Sequence, residues 1–215
     1  MSRRDRPQRR CEQCRLPHAL CLCAEITTVT TSTALLLLLH KDEERKPTNT
    51  GQLAARVLSN SRVVVTGDLQ RPLPQPLLDP ARRSVLLFPA DDAVELQTLV
   101  ASEVPITLVV PDGTWRQAAK ARQRIEGLQN VICATLPAGP ASAYRLRAEP
   151  KEGGLATLEA IARAFCILEG EAVEAALLDV FRKQVDRTLW MRGTLSDRDV
   201  YGGIPAAAHA QHLRG

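Results

Sequence analysis

Apolar residues in this chain gather in short unbroken runs, and the stretches between them carry polar or helical spacing. "TALLLLLH" (Thr33–His40), "RVVVTG" (Arg62–Gly67), "SVLLFP" (Ser84–Pro89), "ITLVV" (Ile106–Val110) and "NVICATL" (Asn130–Leu136) are strand-sized. Continuous apolar runs, unlike alternating ones, belong to strands buried on both faces. "GQLAARVLSN" sets Leu53, Val57 and Leu58 on one stripe behind a cap at Asn49 or Thr50, which predicts a helix. "DDAVELQTLVAS" predicts another, with acidic residues in its first turn. A third is expected from about Thr114 to Glu126, and "LATLEAIARAFCILEG" and "EAVEAALLDVFRKQVDRTLWMRG" close the chain as helices. Gln70 to Pro80 is too rich in proline to be an element. Strands alternating with helices predict an α/β fold, with a mostly parallel sheet flanked by helices. Ligands bind at the carboxyl ends of such strands. "FPADD", "PDGTW" and "PAGPASAYRLR" leave the sheet there.

The 215 residues suffice for one domain with a small appendage. No stretch reaches the ~18 apolar residues of a membrane span. The Arg-rich N-terminus has no apolar run behind it, so no secretory signal is expected. These features suit a soluble, cytoplasmic protein. The net charge of +4 resides in residues 1–10, which hold five Arg and one Asp; the remainder balances to zero. Such an arm suits nucleic-acid phosphates, or is a solvated tail. With three Phe, two Trp and two Tyr, the chain has too few rings for a stacking platform for single-stranded RNA.

Four of the six cysteines fall in "CEQCRLPHALCLC". Cys11, Cys14, Cys21 and Cys23 fit a tetrahedral four-thiolate Zn²⁺ site better than disulfides in a cytosolic protein. A redox pair is the other reading, and His18 inside the loop could replace one thiolate. A closed four-thiolate site would leave no open position for catalysis. Cys133 and Cys166 sit in apolar runs and read as small core residues.

"PDGTWRQAAK" (Pro111–Lys120) turns from a strand into a helix. Asp112 leaves the strand, Gly113 permits a tight turn, and Thr114 can cap the helix. Trp115 can pack over a flat ring. Arg116, Lys120 and Arg124 share one face. By composition alone this is also an ordinary turn and cap with a core Trp and a solvated basic stripe. The chain lacks G-x-G-x-x-G after its first strand and lacks G-x4-G-K-[ST], H-E-x-x-H and G-x-S-x-G.

Taken in order, these segments resemble the DTW-domain family, named for Asp-x-Thr-Trp. The resemblance spans nearly the whole chain. It rests on Cys11–Cys23, His40 with Glu43, "TNTGQLA" (Thr48–Ala54), "LLFPADDA" (Leu86–Ala93), "PDGTWRQA" (Pro111–Ala118), "YRLRAEP" (Tyr144–Pro150) and "LATLEAIA" (Leu155–Ala162). Lys41 stands where the family often has Pro after the His. The resemblance implies a SPOUT-like fold with a C-terminal knot. It also implies an S-adenosylmethionine-dependent tRNA-uridine aminocarboxypropyltransferase, a class that includes bacterial members. Such enzymes move the 3-amino-3-carboxypropyl group to N3 of a uridine, at tRNA position 47 in the variable loop, and release methylthioadenosine. A SPOUT-like RNA methyltransferase and a non-catalytic zinc-containing RNA-binding protein are the competing readings.

On that resemblance, the chain divides into a basic disordered arm (1–10), a four-cysteine zinc-binding segment (11–30) and a catalytic domain (31–215). Asp112, Thr114 and Trp115 are the expected catalytic residues. Phe88, Pro89 and Ala90 are expected to hold the cofactor, with Asp112, Gly113, Ala143, Tyr144, Leu146, Arg147, Thr157 and Glu159. Arg147 or the Gly113–Thr114 amides would take its carboxylate. Asp112 would serve as base or hold the cofactor's amino group or cation, and Glu159 could do either. His40, Glu43, Arg45, Lys46 and Asn49 are expected near the RNA, with Arg116, Lys120 and Arg124 as a phosphate track. The partners implied are tRNA and S-adenosylmethionine, with no membrane; a monomer is expected, with a dimer as the alternative.

Overall fold

In the computed structural model, which describes residues 10–101, 103–146 and 154–212, the five apolar runs become parallel strands of one sheet. They are β1 (Ala34–His40), β2 (Ser61–Thr66), β3 (Arg83–Leu87), β5 (Ile106–Asp112) and β6 (Ile132–Thr135). A short β4 (Val94–Glu95) completes the order β2-β1-β5-β3-β6-β4. The helices are α1 (Gly51–Val57), α2 (Trp115–Arg124), α3 (Thr157–Glu169), α4 (Glu171–Met191) and α5 (Ala206–His212). The last of these lies beyond the segments that sequence patterning picked out.

The leucine run of β1 shows why the sheet needs two cores. Leu35 to Leu39 are all buried, and successive side chains point to opposite faces. Leu35 and Leu37 join α1, α3 and α4 residues such as Leu53, Phe165 and Phe181. Leu36 and Leu38 join Val64, Val109, Ala121 of α2 and Ile125 just after it. Each buried Leu contributes roughly 1.5–3 kcal/mol, so neither face tolerates a polar residue. The proline-rich loop belongs to this second face through buried Leu77, whose carbonyl accepts from Arg62. Leu16, Leu20 and Leu22 of the Cys segment enter the first core beside α4. Leu177, Phe181, Leu189 and Trp190 of α4 are likewise core.

One expected element is different. "DDAVELQTLVAS" is not a helix: it forms β4 and a 3₁₀ turn at Leu96–Leu99. Val94 and Glu95 pair in parallel with Ala134 and Thr135, giving β6 a neighbour that a helix would not supply. Leu96 and Leu99, three residues apart, then bury together on the three-residue repeat of the turn. Residues 147–153 of the connection between β6 and α3 lie outside the described residues, and the described residues show no knot. The knot therefore stays an expectation of the resemblance. No helix among the described residues is long and apolar enough to cross a membrane.

Candidate functional site

All strands run the same way, so the loops after β1, β3, β5 and β6 meet at one end of the sheet. The corner after β5 is built by local hydrogen bonds. Thr114 Oγ1 accepts the Gln117 amide at 3.3 Å, and Gln117 Oε1 accepts the Thr114 amide at 2.8 Å. This reciprocal cap starts α2 at Trp115. Asp112, only 5% exposed, sits beneath it. Asn49 Nδ2 donates to Asp112 Oδ2 and Thr157 Oγ1 donates to Asp112 Oδ1, each at 2.6 Å. Asn49 Oδ1 accepts the Gln52 amide at 3.2 Å and so caps α1, while Thr50 Oγ1 accepts the Leu158 amide at 3.3 Å. The starts of α1 and α3 are thereby tied to the end of β5.

Beside this junction lies a cavity of about 1020 Å³, lined by Phe88 and Pro89, Gly113 to Arg116, Pro137 to Ala141 and Gly154 to Thr157. Trp115 and Phe88 face one another with ring centroids 6.1 Å apart and planes 54° apart. Arg163 also lines the cavity and donates to the Pro140 carbonyl; a Cβ on Gly139 would come within 2.9 Å of its Nη1. Glu43 and Lys46 form part of the wall, joined at 2.6 Å. Flat apolar rings, peptide backbone and the cations Lys46, Arg116 and Arg163 make a surface for a flat heterocycle carrying an anionic group.

The other expected site residues lie around this cavity in different roles. Glu159 is buried and accepts from the Ala143 amide at 2.7 Å, the Ala156 amide at 2.9 Å and the Ser142 hydroxyl. It hooks the loop after β6 onto α3. Tyr144 is core: its hydroxyl donates to the Thr48 carbonyl at 2.7 Å, and its ring lies 6.2 Å from Phe181. Leu146 is also core, and its carbonyl accepts from Arg192 at 2.7 Å. Ala90 packs against the second core. Thr157 both lines the cavity and holds Asp112. Arg147 lies outside the described residues.

His40 stands on the far side of the corner from the large cavity. Its Nδ1 accepts from the Asp42 amide at 3.2 Å and is 3.1 Å from Gln117 Nε2. An Asp42 carboxylate oxygen lies 3.3 Å from the same Nδ1, and Nε2 faces Gly67, where a Cβ would lie 2.6 Å away. Asn49 is buried in the junction and Arg45 is exposed. Arg116, Lys120 and Arg124 follow one another at four-residue steps along α2, with Arg116 at the cavity. Sequence reading missed Arg163, Ser142 and Gly51. The spacing of Arg163 from Glu159, one helical turn, is the signal that could have found the first.

The four N-terminal cysteine sulfurs lie within 4.8 Å of one another. Cys11 Sγ is 3.6 Å from Cys23 Sγ, and Cys14 Sγ is 3.7 Å from Cys21 Sγ. Zn–S bonds of about 2.3 Å in a tetrahedron require an S···S edge of about 3.8 Å, so the set fits a single ion. His18 is exposed and stands apart from the four sulfurs. Burial pushes the Cys14 thiol up to about 11, and burial with the neighbouring Cys14 drives Cys23 up as well. Burial opposes ionisation of Cys11 too, but hydrogen bonds from the backbone of Cys14 and Gln13 bring it down to about 6. Crowded sulfurs that resist joint ionisation are what a divalent cation relieves.

A model of the DTW domain matches residues 8–189. The tRNA-uridine aminocarboxypropyltransferase 2 of Drosophila melanogaster is 32% identical over 180 residues, covering 77% of this chain and 69% of the relative. The tRNA-uridine aminocarboxypropyltransferase A of Arabidopsis thaliana is 28% identical over 208 residues, covering 81% and 79%. Among solved structures, the SAM-dependent rRNA:acp-transferase Tsr3 from Vulcanisaeta distributa aligns at 18% identity with a TM-score of 0.47, over 84% of this chain and 89% of that one.

Proposed function

The chain belongs to the DTW-domain family, and we propose that it transfers the 3-amino-3-carboxypropyl group of S-adenosylmethionine to N3 of a tRNA uridine, the variable-loop uridine at position 47. The observation that carries this reading is the cavity at the strand ends, where the Asp112–Trp115 corner meets the loop hooked by Glu159. Relatives that cover most of the chain are named for this transfer to tRNA uridine.

The cavity suits the cofactor. Phe88, Pro89 and the Pro137–Ala141 backbone offer flat, uncharged walls for an adenine, and Lys46 or Arg116 can take a carboxylate, the Thr114 amide being held by Gln117. When bound, S-adenosylmethionine supplies a carbon activated by its sulfonium. Transfer joins that carbon to N3 once the N3 proton has passed to solvent, breaks the carbon's bond to sulfur and leaves neutral methylthioadenosine. Three carbons flank the sulfonium, so the pose decides which one meets N3. Orientation alone is worth ~7–11 kcal/mol. Asp112 is not among the residues lining the cavity; its fixed carboxylate lies beneath the Gly113–Thr114 backbone that does line it. Trp115, opposite Phe88, stacks on a flat ring and keeps water from the reacting pair.

The four thiolates hold a structural Zn²⁺. The basic face of α2 runs along the RNA, aided by Arg45 and the N-terminal arm. The enzyme works in the cytoplasm as a monomer.

Incubation with unmodified tRNA and S-adenosylmethionine labelled in either the methionyl carboxyl or the methyl group tests the reaction. Carboxyl label entering RNA is the expected result. Methyl label in its place would make the protein a methyltransferase, and neither label despite bound cofactor would refute a tRNA substrate.

A further inference from the structure

The buried junction under the corner does more than join elements of the fold. Asn49 Nδ2 and Thr157 Oγ1 reach different oxygens of Asp112, both at 2.6 Å. They arrive from separate elements, the cap of α1 and the first residue of α3. The orientation of the Asn49 amide is determined by its other end: Oδ1 accepts the Gln52 amide at 3.2 Å, which leaves Nδ2 for the carboxylate. Its backbone carbonyl is anchored as well, accepting Gln184 Nε2 at 3.1 Å. Gly51 packs closely against the same carboxylate. A Cβ there would lie 2.5 Å from Asp112 Oδ2 and 3.1 Å from Thr157 Cγ2. The carboxylate cannot rotate without breaking a short, charge-assisted hydrogen bond or colliding with α1.

Asp112 precedes Gly113 and Thr114, which do line the cavity. Fixing the carboxylate therefore fixes the backbone that meets the ligand. We propose that Asn49 and Thr157 are positioning residues for the transfer: together they clasp Asp112 and through it set the Gly113–Thr114 backbone. The inference deepens the proposed function and rests on it.

Double-mutant cycles against Asp112→Asn test it. Asn49→Asp keeps an oxygen to cap α1 but removes the donor. Thr157→Val keeps the shape and removes the hydroxyl, and Thr157→Ser returns it. Turnover, KM and urea unfolding are read for each variant with and without Asp112→Asn. Asn49→Asp and Thr157→Val should each lower kcat at least tenfold, with KM for tRNA within threefold. Thr157→Ser should recover most of the loss. In the Asp112→Asn background, the same changes should cost less than a further twofold. Equal losses in both backgrounds overturn the clasp, as does near-wild-type turnover in both single variants. If Asn49→Asp does not fold, the Thr157 pair decides. If the wild-type protein moves no aminocarboxypropyl group, the functional reading fails instead. The unfolding cycle then decides the clasp: coupled losses keep it and additive losses overturn it.

Discussion

The Glu159 carboxylate accepts the backbone N–H of Ala143 at 2.7 Å, across 16 residues of chain. One turn further along α3, Arg163 donates to the carbonyl of Pro140. A single helix face thus grips the wall of the cavity at two points, once with an acceptor and once with a donor. The loop between them supplies that wall as backbone, because Pro137, Ala138, Gly139, Pro140 and Ala141 have little side chain to offer.

Glu159→Ala should release this wall. Hydrogen bonds to a buried charge are worth roughly 1.5–3 kcal/mol, so urea unfolding should show a loss of that order. Affinity for S-adenosylmethionine, measured by calorimetry, should fall at least tenfold. A variant that loses stability and keeps full affinity would show that the loop does not form the cofactor's wall.

Gly51→Ala should damage the site from behind it. The new methyl group meets the Asp112 carboxylate at 2.5 Å, a distance at which something must move. Overpacking of this kind costs about 1–3 kcal/mol. Turnover should fall with stability, and a crystal structure should show Asp112 displaced. An unmoved Asp112 with normal turnover would mean that α1 yields instead.

How much of this was legible in the sequence follows from which interactions are local. The leucine run of β1, the cap at Thr114 and the C-x2-C pair at Cys11 and Cys14 each announce themselves within a few residues. The convergence of three loops followed from parallel strands, since all carboxyl ends must then share one side. What could not be read was which polar side chain faces the cavity. Asn49 and Asp112 are 63 residues apart and Tyr144 and Thr48 are 96 apart. No periodicity reports pairings at that separation. The expected helix at "DDAVELQTLVAS" failed for the same reason, because β6 needed a neighbour that local spacing does not reveal.

The cations on α2 should make tRNA binding depend on salt. Replacing Arg116 and Arg124 by Gln should lower the slope of log K against log salt by roughly 0.7–0.9 for each phosphate no longer neutralised. Filter binding across a salt series measures it. Slopes that match those of the wild-type protein would take α2 off the RNA path.

Acid should separate the proline-rich loop from the loop after β1. Arg71 binds Glu44 through two nitrogens, at 2.9 and 2.8 Å, and Asp68 at 2.7 Å. The hydrogen bond from Arg71 holds the Glu44 carboxyl below its ordinary value. A carboxyl lowered on folding stabilises the fold above its unfolded value, about 4.3, and loses that gain as pH falls through the folded value. Arg71→Gln should therefore be slightly less stable than wild type at neutral pH, as expected for a partly exposed pair. The two proteins should converge in acid. Urea midpoints that diverge further on acidification would contradict the ion pair.

Removing metal should loosen the Cys loop before it affects the sheet. Arg187, the largest fully buried side chain among the described residues, holds that loop from α4. It binds Glu25 at 2.7 and 2.9 Å and donates to the carbonyls of Leu20 at 3.3 Å and Cys21 at 3.5 Å. The four sulfurs are thus presented by a loop that α4 fixes at one end, and a bound ion would fix it at the other. Purified protein should carry one zinc per chain, and a chelator should lower Tm and expose the four thiols to a thiol reagent. Arg187→Met should weaken zinc retention and cost about 3 kcal/mol, from two stranded carbonyls and imperfect packing. A four-thiolate ion has no open position, so transfer activity should decline only as the loop unfolds and not at once with chelation. Activity lost faster than thiols become reactive would put the metal in the chemistry. A Tm indifferent to the chelator would remove the metal from the fold.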